Sequence, residues 1–416
     1  MERAGDDVGA GGGARTAAPG GVVGAGGAAG GGGTGADGDD GARGGRPRLT
    51  YGGGKLILAP MVRCGTLPLR LLSLRYGADI VYSEELIALK LRQCERVVND
   101  VFGTVDFVHS SGEKVYRTCA EEVGRNVVQM GVADDVTAVQ AATVVARDCA
   151  GLDINMGCPK RFSLQGGMGA ALLQKPEVAA SILRALRRNF AVPVTCKIRI
   201  LGDDPSELAA TADFARQMEA AGAEAIGVHV RTVLERPKDP AHWPALAPVV
   251  EAVRIPVIAN GDAFTWEDCE RIFADTGVAS VMIARGALQN PTLFRRTRGP
   301  LPLLEAMRDY TCVAADVGNS FANTKYTLMQ MARGSRMLSG PTGQAFAHAR
   351  TLAGVAEAVG AQEHVAACEA RLRKRMRGVP EERRKYLFDC VSSRKYLDSY
   401  FDEARKAEVA EHAAAA

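Results

Sequence analysis

Between Lys55 and Ala284 the chain repeats one unit eight times, a short apolar run followed in most cases by an amphipathic stretch. The runs are Leu56–Ala59, Asp79–Tyr82, Asn126–Met130, Leu152–Asn155, Val194–Ile198, Ala225–His229, Pro256–Asn260 and Ser280–Ala284. Strands that are apolar along their length are covered on both faces, as parallel strands with helices packed outside them are. Asp135–Cys149 and Ser206–Ala221 carry the spacing of such helices, and Gly222 is placed to close the second. Eight units over a span near the ~250 residues of a typical barrel predict an α/β fold, the (β/α)8 TIM barrel, rather than an open doubly wound sheet.

One insertion breaks the rhythm. Val97–Thr118 holds two β-rich runs around Ser110-Ser111-Gly112-Glu113 and predicts a hairpin. After Pro291 the strand signal stops. Residues 298–405 predict a C-terminal all-helical domain, broken at Gly340-Pro341 and Gly378-Val379-Pro380, behind a barrel at residues 51–297 and ahead of a flexible tail at 406–416. Residues 1–50 hold 19 of the 47 glycines and few large apolar side chains. Such a segment cannot bury enough surface to offset its ordering entropy, so a disordered tail is expected.

Composition excludes several classes. No run of eighteen apolar residues exists, so no membrane span is indicated. The acidic start, Met1–Asp7, lacks the apolar centre of a signal peptide, so a cytoplasmic protein is expected, with the nucleus left open. Ten cysteines occur without a C-x-x-C pair or a His/Cys grouping at metal spacing, which predicts reduced thiols and no metal. A net charge of +3 neither demands nor excludes nucleic acid.

The segment richest in chemical content is Asn155-Met156-Gly157-Cys158-Pro159. Gly157 permits a sharp turn and Pro159 stops the strand, which holds a thiol at a strand's carboxyl end, where barrels place their chemistry. A cysteine can simply fill a core. Here the turn, beside the glycine-rich Gln165–Ala170 expected to act as a lid or a close ligand support, favours chemistry instead.

The other strand ends line the same predicted mouth. Strand one closes on Ala59-Pro60-Met61-Val62, suited to lie beside a flat ring, and strand three offers the Gln129 amide. Strand five offers Lys197, costly inside a barrel without an anionic partner, and strand six offers His229 and Arg231. Strands seven and eight close on Asn260-Gly261-Asp262 and Ala284-Arg285-Gly286, where barrels commonly bind phosphate. A phosphate on one side, a lysine and an amide toward a ring, and a thiol opposite predict a flavin mononucleotide (FMN) site.

These motifs resemble the tRNA-dihydrouridine synthase family, and within it the eukaryotic subgroup that modifies uridine 20 of the D-loop. The resemblance rests on Leu58–Arg63, Tyr82–Leu86, Asn155–Lys160, Gly166–Leu173, Thr195–Leu201, Asn260–Asp262 and Ala284-Arg285, with the subgroup signal in Gly103–Phe107 and Asn323–Tyr326. It implies flavin binding by Pro60, Met61, Val62, Gln129, Lys197, His229, Asn260, Gly261, Asp262, Ala284 and Arg285. It implies Cys158 as the catalytic acid in reduction of the uracil C5=C6 bond, NADPH as the reductant, and substrate contacts at Asn155, Arg231, Asn323 and Lys325. One departure is Val230, where the family usually has glycine after the strand-six histidine.

The basic stretch Arg371–Arg377, with Arg373, Lys374 and Arg375 at its centre and Arg383-Arg384-Lys385-Tyr386 behind it, is expected to contact tRNA phosphates. A solvated helix face is the alternative. Two rival functions stay open at this level: an FMN barrel reductase of a small pyrimidine or enone, and a tRNA-binding chaperone with a degenerate site. A monomer is expected.

Overall fold

The computed structural model describes residues 48–377, 379 and 380, all within one compact unit. The expectations for the glycine-rich start up to Arg46-Pro47, for Arg383–Tyr386, for the rest of the helical segment to residue 405 and for the tail fall outside the described residues. The eight expected strands form at Lys55–Leu58, Ile80–Tyr82, Asn126–Gly131, Gly151–Met156, Val194–Ile200, Ile226–Thr232, Val257–Asn260 and Ser280–Ile283. All pair in parallel and the sheet closes on itself, strand one against strand eight (Leu56↔Val281) and strand two against strand three (Val81↔Asn126).

The two-residue side-chain period divides each strand between a packed wall and the barrel interior. Outward residues such as Leu56, Leu58, Val128, Leu152, Ile154, Ile198 and Val228 join the surrounding helices in one continuous apolar core. Inward, the amino-terminal end is apolar: Tyr51, Ile57, Ile80, Val127, Ala225 and Ile258 form a plug. Ser280 Oγ ties that plug down by donating to the Tyr51 carbonyl at 2.5 Å. Two residues further along the strands the interior turns polar, and Gln129, Asp153, Thr195, Lys197 and His229 face the mouth.

Helix boundaries shift for local reasons. The helix expected at Asp135–Cys149 runs Asp135–Val145 and tightens into a 3₁₀ turn at Ala146–Asp148. The one expected from Ser206 begins at Ala209, because Ser206 N and Oγ both donate to Asp204 Oδ1 and hold a turn there. Gly222 does close it, at φ 98°.

The insertion is a three-stranded antiparallel sheet, Cys94–Asn99, Thr104–His109 and Lys114–Cys119, not the single hairpin expected. Gly103 and Gly112 take positive φ at its two turns. The first strand escaped notice because Glu95 and Arg96 interrupt its apolar pattern.

The helical segment packs onto the barrel and the insertion. Helix Leu303–Asp316 lies against helix Leu67–Tyr76, with Tyr76 Oη donating to Asp309 Oδ2 at 2.7 Å. Arg117 makes a bidentate pair with Asp106 and reaches the carbonyls of Val317 and Gly318. Beneath, Arg70 and Glu122 form a fully buried bidentate pair, so removing either partner alone is expected to cost about 3–5 kcal/mol. One grouping was missed: His364 and Cys368, four apart on helix Gln362–Met376, converge with Asp316. Arg371 also donates to that Asp316 oxygen, at 3.1 Å, so the carboxylate already has a cation.

Candidate active site

Cys158 is held by its own turn. Asn155 Oδ1 accepts from Gly157 N and Cys158 N, both at 3.0 Å, which folds the chain back at the end of strand four. Ser163 Oγ donates to Cys158 Sγ at 3.3 Å. The glycine-rich loop is a packed support: Ala170 N donates to the Cys158 carbonyl, and a Cβ on Gly169 would come within 2.7 Å of that oxygen. Asn155, expected to contact RNA, therefore has its side-chain oxygen committed to presenting the thiol.

Below the thiol runs a buried polar ladder. Gln129 Nε2 donates to Asp153 Oδ2 at 2.8 Å, Thr195 Oγ1 donates to Asp153 Oδ1 at 2.6 Å, and Asn155 Nδ2 approaches Gln129 Oε1 at 3.4 Å. Burial pushes the Asp153 carboxyl up to about 6, against the pull of Thr195, Gln129 and Lys197. Lys197, opposite Asn155 in the strand register, is lowered to about 7 by burial and by the charge of Arg199. Lys197 is half-buried, and among the described residues its ammonium has no hydrogen-bond or ion-pair partner.

Strands six to eight enclose a pocket of about 190 Å³. Its lining includes six of the expected flavin residues: His229, Asn260, Gly261, Asp262, Ala284 and Arg285. Asp262, in the left-handed region at φ 49°, accepts from Arg231 at 2.5 Å, from Arg285, and from Ala241 N at 2.9 Å. Arg199 also lines the pocket and gives one hydrogen bond to the Thr232 carbonyl. Three guanidinium groups against one carboxylate leave the pocket positive, which suits an anion. Burial and the surrounding cations hold His229 neutral by pushing its pKa far down. Arg231 Nη1 lies 3.2 Å from His229 Nε2, so that nitrogen accepts and the proton is left on Nδ1.

Val230 faces away from this pocket. It is fully buried in the outer wall, and a Cβ on Gly261 would stand 3.0 Å from its Cγ2. Pro60, Met61, Val62, Gln129 and Lys197 lie outside the pocket's lining. Pro60 and Met61 are half-buried and Val62 is exposed, on a turn where the Met61 carbonyl accepts from Cys64 N and Gly65 N.

Several expected RNA contacts have other work. Arg231 is 2% exposed and ion-paired inside the pocket wall, so it cannot offer its charge to an outer phosphate. Asn323 Nδ2 donates to the Arg63 carbonyl at 2.7 Å while its Oδ1 accepts from Thr66 and Asn319, stapling the helical segment to the loop after strand one. Lys325 Nζ caps helix Pro341–His348 through the carbonyls of Ala347 and Ala349. Arg375 reaches the Val101 carbonyl at 2.6 Å; Arg373 and Lys374 are exposed on the same helix. Sequence reasoning missed Glu85, Asp153, Ser163 and Arg199. Asp153 was detectable, since it shares a strand face with Asn155.

The family model for dihydrouridine synthases (Dus) matches residues 57–339. A tRNA-dihydrouridine(20) synthase of Schizosaccharomyces pombe is 39% identical over 292 residues, covering 68% of this chain and 60% of that protein. Its Saccharomyces cerevisiae counterpart is 35% identical over 308 residues, covering 69% and 79%, and both names specify NAD(P)+. A tRNA-dihydrouridine(20a/20b) synthase-like protein of Mus musculus is 33% identical over 287 residues, covering 68% and 82%. The match thus spans about 60% of the fission-yeast relative's length. With the family model matched across the barrel and into the helices, this chain belongs to the dihydrouridine synthase family.

Proposed function

We propose that the chain is a flavin-dependent tRNA-dihydrouridine synthase that reduces a uridine C5=C6 bond, at position 20 of the D-loop, with NADPH as electron source. The observation that carries this reading is the pairing, at one barrel mouth, of a turn-presented thiol with a positive pocket and a half-buried lysine whose ammonium has no acceptor among the described residues. That donor set fits FMN. Arg199, Arg285 and the strand-seven loop would hold the phosphate, Lys197 and Gln129 would face the ring, and Pro60, Met61 and Val62 would border it. The bound flavin supplies a hydride for uracil C6. The chain's own part is to present the Cys158 S–H toward C5, with Asn155 and Ser163 fixing the sulfur.

The RNA side of the reading rests on the mouth rather than on the residues first expected. Lys160 and Arg161 are exposed close to Cys158 in the sequence, and Phe162 follows them at 50% exposure, an aromatic beside two cations suited to stack a base. Arg373 and Lys374 would add phosphate contacts. No described helix is long and apolar enough to cross a membrane.

The test is direct. Purified protein with FMN and NADPH, given unmodified tRNA, is expected to form dihydrouridine at position 20, mapped by reverse-transcription stops or mass spectrometry. Reduction of free uracil with no product in tRNA would contradict the assignment.

A further inference from the structure

The helical segment carries a second cluster of reactive side chains, and no step of the proposed reaction employs it. His364 and Cys368 stand four residues apart on helix Gln362–Met376, so one face presents both. Helix Leu303–Asp316 brings its last residue, Asp316, onto that face. The His364 Nε2 lies 3.0 Å from Asp316 Oδ1, and the Cys368 thiol donates to the same oxygen at 2.9 Å. One ligand atom from each of the three residues lies within 4.8 Å of the other two.

That single carboxylate oxygen is asked to accept from three donors, because Arg371 Nη2 also reaches it, at 3.1 Å. An oxygen with two lone pairs satisfies two donors well, not three. A metal ion relieves such crowding: ligands held about 2.0–2.3 Å from a tetrahedral centre stand roughly 3.3–3.8 Å apart. Arg371 Nη2 is also 2.7 Å from Cys368 Sγ, so a cation already bridges the sulfur and the oxygen. Its side chain is 55% exposed and can leave for water at little cost, since exposed ion pairs contribute little. His364 and Asp316 are partly exposed, which gives an ion a path from solvent.

We propose that Asp316, His364 and Cys368 form a binding site for a divalent transition-metal ion of the zinc class, with water in the fourth position. A thiolate with an imidazole selects such an ion over magnesium or calcium, which prefer oxygen ligands. The i, i+4 spacing is one by which a helix offers two ligands to a single zinc ion. On binding, the Cys368 S–H bond breaks, a metal–sulfur bond forms, and the proton goes to water. The His364 proton resides on Nδ1, leaving the Nε2 lone pair for the ion. Thiolate and carboxylate together balance the ion's charge, and no electrons move. The ion clamps helix Leu303–Asp316 to the helix that carries Arg373 and Lys374. Neither the flavin nor Cys158 takes part.

The test uses the full chain, stripped with a chelator, kept reduced with a phosphine and titrated anaerobically with Co2+ as the spectroscopic probe. The expected result is a thiolate-to-cobalt charge-transfer band that saturates at one ion per chain and is displaced by Zn2+. Cys158→Ala is expected to keep the band, while His364→Ala and Cys368→Ser each lose it. Arg371→Ala removes the competing cation and leaves all three ligands in place, so it is expected to bind Co2+ about fivefold more tightly, the factor that loss of an exposed ion pair corresponds to. That gain keeps the proposal testable even where the Cys368→Ser chain fails to fold. Absence of the band in the wild type, its survival in His364→Ala, or affinity unchanged or weaker in Arg371→Ala would overturn the proposal and leave the cluster as an ion-paired tie between helices.

Discussion

The two halves of the barrel mouth are built from the same kind of strand end but carry opposite electrostatics. Strands six to eight, with Arg199 from strand five, gather three guanidinium groups in one pocket, two of them paired with Asp262. Strands two to four gather Glu85, Asp153 and the Cys158 thiol, whose carboxyls are pushed toward their neutral forms. One half is made to hold a permanent negative charge and the other to hold mobile protons. Lys197 and His229 stand between them, the first lowered toward neutrality and the second neutral. Both conditions suit the proposed activity, which would bind a phosphorylated cofactor on one side of the mouth and protonate a base on the other.

The largest expected difference between the halves lies in what each carboxylate supports. Asp262→Ala leaves the buried Arg231 without its counter-charge and is expected to cost about 3–5 kcal/mol, read from the urea midpoint. Asp153→Asn is expected to cost far less, because that carboxyl is already raised to about 6 and an amide can keep one of its two hydrogen bonds. Equal losses would erase the contrast. Next comes Gly261→Ala: with φ 141° and a Cβ position 3.0 Å from both Ala241 and Val230, it is expected to lose about 1–3 kcal/mol and to weaken flavin retention, measured by absorbance after gel filtration.

The pH dependence separates the halves further. Lys197 titrates near 7 folded and at its ordinary 10.5 unfolded, so between those values the unfolded chain holds the extra proton and stability rises with pH. Lys197→Met should flatten that rise in pH-dependent urea melts. Asp153 works the other way: its folded value of about 6 lies above 3.8, so its contribution is full below 3.8 and lost as pH climbs through 6. The smallest effect is expected at the outer surface. Replacing Arg373 and Lys374 together by alanine should weaken tRNA binding modestly and lower the salt slope by at most about 2, with flavin content unaffected.

How much of this was legible in the sequence follows from which interactions are local. The barrel was legible because each apolar strand reports its own burial, and the thiol turn because Gly157 and Pro159 flank the cysteine directly. The fate of polar side chains was not, since it depends on what the fold brings near them. Asn323 and Lys325 look like surface groups in the sequence, yet both are spent on backbone carbonyls of distant segments. Arg231 alternates correctly with His229 toward the interior, but only the left-handed backbone at Asp262 brings a carboxylate onto it.

The central claim is that the Cys158 sulfhydryl supplies the proton while the flavin supplies the hydride. Its most direct measurement is the anaerobic reoxidation of pre-reduced flavoprotein on mixing with unmodified tRNA, followed at the flavin absorption band in wild type and Cys158→Ala. The expected result is equal flavin content and tRNA binding in both proteins, with reoxidation in the variant slower by at least about a hundredfold. Reoxidation at the wild-type rate, with dihydrouridine formed, would contradict it.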